Sequence, residues 1–246
     1  MNKFIMFFFF LTLSISAQEL KVITEEWPPF NFTQDGKLSG LSVEMCELVL
    51  KESGLKAKIE SLPWNRAYNE ALTTPDIMIF TMGRNTEREK LFDWAFSIAP
   101  RETWLIKLKS NNKIKGSVLN DFKNYKIGTG PKSDATTQEL IKMGFDEIKN
   151  LDIYEGENPD PINIQKLFSG RIDIIAGNPI SLAYVTKELK LDYSQTENII
   201  LISGSGSYWA ALSLETNPDI SKKIKETATK LEKSGEFKKI LTKYLK

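Results

Sequence analysis

Strand-like and helix-like segments alternate along most of the chain, and this alternation constrains the fold more than any other feature. Short apolar runs such as 77–80 and 172–176 are typical of strands that are buried on both faces. Amphipathic segments lie between such runs, and capping residues such as Ser42 and Asn217 mark where these segments begin. The pattern predicts an α/β fold.

The chain shows no internal repeat, no low-complexity tract and no long linker. Two groups of alternating elements follow one another, and extended segments near 104–108 and 208–214 stand where the groups meet. We therefore expect two halves that are joined by extended strands and not by a flexible tether.

The first residues have the three-part layout of a secretory signal peptide. Lys3 precedes an apolar run at 4–13, and small residues up to Ala17 follow it. A membrane anchor is the alternative, but the run is well short of the ~20 residues that span a bilayer. We expect residues 1–17 to be removed near Ala17. No Cys follows the run, so we expect a protein without a lipid anchor that works in the periplasm.

Composition excludes several classes of function. The chain has 33 Lys+Arg against 32 Asp+Glu, a balance that argues against binding nucleic acid. It has no His and one Cys, which removes imidazole chemistry, internal disulfides and four-thiolate metal sites. We expect no cofactor and no metal. Monomer is the expected state, since no unsatisfied apolar face is evident.

Three segments contain candidate site residues. Trp27, in EEWPPFNF, follows the first strand and can either stack on a ligand or pack on the core. The segment 81–94 leaves the end of a buried strand, where Arg84 and Arg88 can bind an anion or form a solvated helix start. The segment 128–137 lacks the spacing of a phosphate loop, but its helix start can receive a carboxylate.

The order of motifs along the chain resembles the bacterial extracellular solute-binding proteins of family 3, the polar-amino-acid type that supplies ABC importers. The motifs are VITEEWPPFNF, GKLSGLSVEM, NTEREKLFDW, YKIGTGPKS, GRIDII and SGEFKKILTKYL. The resemblance implies a two-lobed periplasmic-binding-protein fold of type II with two crossover strands as a hinge. It places lobe 1 at 18–105 and 212–246, and lobe 2 at 106–211.

The same resemblance assigns roles to individual residues. Arg88 matches the family's partner of a ligand carboxylate, and Ser133 and Asp134 match the helix start that completes this site. The other matching positions are a hydroxyl contact, a backbone N–H and two aromatic walls: Thr81, Gly83, Trp27 and Trp64.

One position departs from the family pattern. Asn178 stands where the family typically has an Asp that receives the α-ammonium group of the ligand. Asn supplies no charge, so an ammonium group there loses charge-assisted bonding. Asp134 stands where Thr or Ser is usual, and it can either compensate or repel a carboxylate. The ligand can therefore be an organic anion or a modified amino acid as well as an ordinary amino acid.

The resemblance implies a non-catalytic receptor that closes on a small polar solute bearing a carboxylate and delivers it to the membrane permease of an ABC importer. Two alternatives stay open. Periplasmic cyclohexadienyl dehydratases resemble this family, and Glu25 or Glu26 can then act as a general acid. A module that presents the ligand to a membrane sensor would have the same binding site.

Overall fold

The structure is a computed structural model, and it describes residues 20–204 and 206–244. The predicted signal peptide, residues 1–17 with its cleavage site at Ala17, lies outside the described residues. Across the two described ranges, no helix combines the length and the apolar character needed to cross a membrane.

The described residues form an α/β fold, as the alternating pattern predicts. The strands are β1 Lys21–Thr24, β2 Phe32–Gln34, β3 Lys37–Ser39, β4 Ile59–Ser61, β5 Ile77–Gly83, β6 Phe92–Pro100, β7 Thr103–Leu108, β8 Ile127–Thr129, β9 Leu151–Ile153, β10 Ile174–Gly177, β11 Thr196–Ser203 and β12 Ser207–Ser213. The α-helices are α1 Leu41–Ser53, α2 Trp64–Thr73, α3 Ala135–Lys142, α4 Pro159–Phe168, α5 Pro179–Glu188, α6 Pro218–Ser234 and α7 Glu236–Tyr244.

The first five-stranded sheet has the order β4-β1-β5-β12-β6. β1 pairs in parallel with β4 and β5, whereas β12 runs antiparallel to β5 and β6. One face packs against α1, α6 and α7, and the other packs against α2. Every residue of β5 is buried, which explains its unbroken apolar run.

The second five-stranded sheet has the order β11-β7-β10-β8-β9. β8 pairs in parallel with β9 and β10, and β7 runs antiparallel to β10 and β11. α3 packs on one face, while α4 and α5 pack on the other. We call the halves built on the first and second sheets lobe 1 and lobe 2.

Two extended segments cross between the lobes side by side. β6 of the first sheet leads directly into β7 of the second, and β11 leads back into β12. The Arg101 N–H donates to the Gly206 carbonyl at 3.1 Å between the two crossings. Arg101 is buried and donates to both oxygens of Glu139 on α3, at 2.7 and 2.9 Å.

The predicted lobe boundaries at 105/106 and 211/212 stay a prediction. In the structure, β7 pairs only with strands of the second sheet, and β12 pairs only with strands of the first. By strand pairing, the chain joins the second sheet at Thr103, where β7 begins, and joins the first sheet again at Ser207, where β12 begins.

Helix α1 begins in a conformation that requires glycine. Sequence reasoning expects Ser42 to cap this helix, but Gly40 is the capping residue, and Ser42 is buried inside the first turn. Gly40 has φ 118° and ψ 171°, a backbone region that is nearly exclusive to glycine. A Cβ atom there would lie 2.5 Å from the Phe30 carbonyl oxygen and 2.8 Å from that of Pro29.

We expect Gly40→Ala to lower the free energy of unfolding by about 2–4 kcal/mol, because backbone strain and overpacking add. Gly36→Ala is the matched control. Gly36 also has a positive φ, +74°, but no atom lies within 4 Å of the Cβ position, so about 1 kcal/mol is expected. Urea unfolding of both variants measures the difference, and equal losses would contradict the steric argument.

Candidate ligand-binding site

The candidate site is a cavity of about 70 Å³ between the two lobes. Seven of the eight residues predicted for the site line it: Trp27, Trp64, Thr81, Gly83, Arg88, Asp134 and Asn178. Ser133 does not line the cavity. Its hydroxyl hydrogen-bonds to Asn65 of lobe 1 outside the cavity.

Lobe 1 contributes residues that follow the carboxyl ends of two parallel strands, where open α/β sheets bind ligands. Glu25 and Trp27 follow β1, and Thr81 and Gly83 end β5. Thr81 has φ 62°, a strained value for a β-branched residue. Strain of this kind is concentrated at functional sites, and the Thr81 hydroxyl faces this cavity without a hydrogen-bond partner.

Arg88 is almost fully buried beside the cavity, with 1% of its surface exposed. Its guanidinium carbon lies 5.3 Å from the ring centre of Trp64 and 5.0 Å from that of Tyr68. It donates from Nη1 to the Gly83 carbonyl at 2.9 Å and from Nη2 to the Ser133 carbonyl. Burial lowers the pKa of this guanidinium. Arg88 therefore links the two lobes as well as facing the cavity.

Three buried donors among the lobe 1 residues that line the cavity have no acceptor among the described residues. They are the indole N–H of Trp64, the hydroxyl of Thr81 and Nε of Arg88. All three residues line the cavity. A buried donor without a partner is costly, and native structures rarely leave one unpaired. The lobe 1 wall is therefore suited to an acceptor such as a carboxylate.

Trp27 packs on the core at one end and lines the cavity at the other, and its stacking on a ligand stays a prediction. Its ring stacks on Phe30, with ring centres 4.5 Å apart, and meets Tyr208 edge-on at 4.9 Å. Its indole N–H crosses to lobe 2 and donates to Oδ2 of Asp160 at 3.0 Å.

In lobe 2, helix α3 begins at the cavity, but the N–H groups of its first turn already bind a side-chain carboxylate of the protein. Asp134 caps the helix, and its Oδ1 accepts hydrogen bonds from the N–H groups of Thr136 and Thr137 at 2.8 and 3.3 Å. The carboxylate of Asp134 therefore occupies the position at the helix start where the sequence predicts a carboxylate of the ligand.

Asn178 lines the cavity, but both ends of its amide are already bonded. Its Oδ1 accepts from the N–H groups of Ile180 and Ser181 and so caps α5, while its Nδ2 donates to the Glu102 carbonyl at 3.2 Å. The residue thus serves the local structure of α5 and the crossing strand.

Asp160 supplies a buried carboxylate close to Asn178. Its Oδ2 accepts from the Ser181 hydroxyl at 2.6 Å as well as from Trp27. Burial raises the pKa of Asp160, and these two hydrogen bonds oppose the rise. The Pro28 carbonyl of lobe 1 lies 2.7 Å from the same Ser181 hydroxyl, so the single proton of this hydroxyl serves two acceptors, one in each lobe.

Glu25 is the third carboxylate of the cavity. Among the described residues, no group donates a hydrogen bond to its side-chain carboxyl group. Burial raises its pKa to about 8, and Asp134 and Asp160 add to the rise while Arg88 opposes it. Glu25 is therefore largely protonated at neutral pH. No group of three or more acidic or Cys side chains within residues 20–204 and 206–244 is arranged to hold a metal ion.

Sequence reasoning did not include Glu25 and Asp160 in the site. From the sequence, Glu25 is a candidate only as the general acid of the dehydratase alternative. Asp160 lies between two prolines, either of which can stand at the first position of a helix, and in the structure α4 begins at Pro159. A start at Pro159 places Asp160 in the first turn of the helix. The Pro-Asp-Pro signal was therefore present in the sequence.

The family described as "Bacterial extracellular solute-binding proteins, family 3" matches residues 20–246. The L-cystine-binding protein TcyJ of Escherichia coli (strain K12) is 24% identical over 222 residues, which are 89% of this chain and 79% of that protein.

Solved structures share the fold. An ancestral arginine-binding protein bound to arginine superposes with a TM-score of 0.77 at 23% identity, covering 93% of this chain and 98% of the other. A histidine kinase sensor domain with similarity to periplasmic binding proteins gives a TM-score of 0.78 at 16% identity, covering 93% and 96%. The predicted two-lobed periplasmic-binding-protein fold is thereby confirmed. With the family match over nearly the whole described chain, this protein belongs to the bacterial extracellular solute-binding proteins of family 3, and it binds a small-molecule solute.

Proposed function

We propose that this protein captures a small amino-acid-type solute between its lobes and delivers it to the permease of an ABC importer. It acts as a monomer in the periplasm, after removal of residues 1–17, and without catalysis. The observation that carries the ligand class is the polarity of the cavity. Unpartnered donors of Trp64, Thr81 and Arg88 form one wall, and the carboxylates of Asp134 and Asp160 lie on the other.

This arrangement suits a solute with a carboxylate at one end and an ammonium group at the other. The carboxylate fills the place of the missing acceptor in lobe 1. The ammonium group is received by Asp160. This carboxylate, on the neighbouring helix, replaces the Asp that the family typically has at the position of Asn178. An organic anion without a cationic group would meet carboxylates in lobe 2, so the structure argues against this alternative.

The function is tested by thermal unfolding of the mature chain against a panel of amino acids, opines, organic acids and short peptides. A solute present at 100 times its dissociation constant should raise the free energy of unfolding by about 2.7 kcal/mol. Stabilisation by amino-acid-type solutes is the expected result. A panel in which only organic acids stabilise the protein, or in which none of the solutes does, would contradict the proposal.

One observation favours an enzyme as the second candidate. Burial and the neighbouring carboxylates raise the pKa of Glu25 to about 8, and a carboxyl group that stays protonated at neutral pH can act as a general acid. Turnover of prephenate or arogenate in an absorbance assay separates this candidate from a receptor, which binds its solute unchanged.

A further inference from the structure

We propose that the solute carries two cationic groups beside its carboxylate, as basic amino acids do, and that Glu25 of lobe 1 and Asp160 of lobe 2 receive these groups. The inference rests on the proposed function, the capture of an amino-acid-type solute in this cavity, and narrows its ligand class.

The inference rests on the charged side chains that line the cavity. Two arginines and three carboxylates line it. Arg101 is already paired with Glu139, with Nη1 to Oε1 at 2.7 Å and Nη2 to Oε2 at 2.9 Å. Arg88 therefore faces Glu25, Asp134 and Asp160 as the one guanidinium in the described cavity without its own acidic partner. A solute carboxylate beside Arg88 offsets that positive charge, which leaves the carboxylates of Asp134 and Asp160 and the carboxyl group of Glu25 facing the rest of the solute.

Each of these carboxylates has an oxygen that takes no hydrogen bond from the described residues. The bonds to Asp160 reach Oδ2 and leave Oδ1, and those to Asp134 reach Oδ1 and leave Oδ2. Glu25 accepts none. One ammonium group satisfies only part of this acceptor set, whereas a second cationic group on the solute brings further donors and charge to it.

The position of the unpartnered donors determines which end of the solute faces lobe 1. Trp64 Nε1, Thr81 Oγ1 and Arg88 Nε are buried in lobe 1 and require an acceptor. The carboxylate of the solute fits there, so its cationic groups point toward Glu25 and the start of α4. The cavity thus distinguishes the two ends of the solute.

Binding of a cation should also draw a proton from the site. Glu25 is largely protonated at neutral pH, and the charged groups that face it are Asp134 at the cap of α3, Asp160 of α4 and Arg88. A cationic group of the solute favours the ionised form of Glu25, so the affinity for such a solute should rise with pH up to about 8.

Titration calorimetry with L-arginine and L-citrulline tests the proposal, because citrulline has nearly the same shape without the side-chain charge. We expect arginine to bind about 10- to 100-fold more tightly than citrulline. Arginine affinity should increase by up to about tenfold per pH unit between pH 6 and 8, while citrulline affinity should change less.

Glu25→Gln should reduce both the preference for arginine over citrulline and its pH dependence. Glu26→Gln is the matched control, because the Glu26 carboxylate accepts hydrogen bonds from Thr33 at the surface, at 2.8 and 2.7 Å. This control should keep the wild-type preference.

Citrulline or glutamine binding as tightly as arginine would overturn the inference and leave the proposed function intact. Binding of arginine with an unchanged preference in Glu25→Gln would overturn the role of Glu25. A chain that binds none of these amino acids, nor any other amino-acid-type solute of the panel, would overturn both the inference and the proposed function.

Discussion

An Arg88→Ala variant should bind its solute at least about 100-fold more weakly than the wild type, because truncating one partner of a buried charged pair costs several kcal/mol. Arg88 faces the cavity with an Nε that has no acceptor in the described residues. Its guanidinium is held by the rings of Trp64 and Tyr68 and by two backbone carbonyls, so it needs little reorganisation to meet a carboxylate.

The same variant should lower the free energy of unfolding by about 3–5 kcal/mol. The substitution leaves a cavity among buried aromatic rings and removes the donors to the carbonyls of Gly83 and Ser133. Calorimetric titration therefore has to be made at a temperature where circular dichroism shows the variant to be folded. Arg88→Lys, which keeps the charge but not the planar fork, should show a smaller loss of stability and still bind weakly.

Arg84→Ala is the matched control for this experiment. Arg84 also lies over aromatic rings, 5.1 Å from Trp94 and 4.8 Å from Trp209, but it pairs with Glu89 outside the cavity. We expect its affinity to remain at the wild-type value. Wild-type affinity in folded Arg88→Ala would contradict the assignment of Arg88.

The second large effect concerns pH and the ligand-free protein. The pKa of Glu25 rises from 4.5 to about 8 on folding, so between these values the folded state binds a proton that the unfolded chain releases. Each pH unit in this window should therefore lower the free energy of unfolding by up to about 1.4 kcal/mol. The contribution is most favourable below pH 4.5 and is lost as the pH rises toward 8.

Glu25→Gln should remove this contribution while keeping the shape of the side chain. Urea unfolding from pH 5 to 8 should show the variant gaining about 2–4 kcal/mol relative to the wild type across the window. Glu26→Gln should follow the wild-type curve. Parallel curves for the wild type and Glu25→Gln would show that burial of this carboxyl group does not disfavour its charge.

Much of the fold could be predicted from local signals. β1, α7 and the start of α6 follow from apolar periodicity and from the Asn217–Pro218 cap, which are signals read within a few residues. β6 has no comparable local signal, and only its first three residues belong to the charged segment 81–94. Its pairing with β12 is contributed by residues more than a hundred positions away.

The residues of the candidate site likewise include some that the sequence predicts and some that it does not. Trp27, Thr81 and Arg88 lie next to strand ends, so motif order and topology were enough to propose them. The sequence could not identify Asp160 and Glu25 as site residues, because the burial that raises their pKa values exists only in the folded chain. The second role of Arg88 as a link between lobes likewise depends on Ser133 approaching from lobe 2.

The most direct test of the central claim is a crystal structure of the mature chain with the tightest-binding solute of the panel. We predict the solute between the lobes, with its carboxylate within hydrogen-bond distance of Arg88 Nε and Thr81 Oγ1. We predict its cationic groups beside Asp160 and Glu25. A solute bound outside this cavity, or one whose carboxylate faces Asp134 and Asp160, would contradict the account.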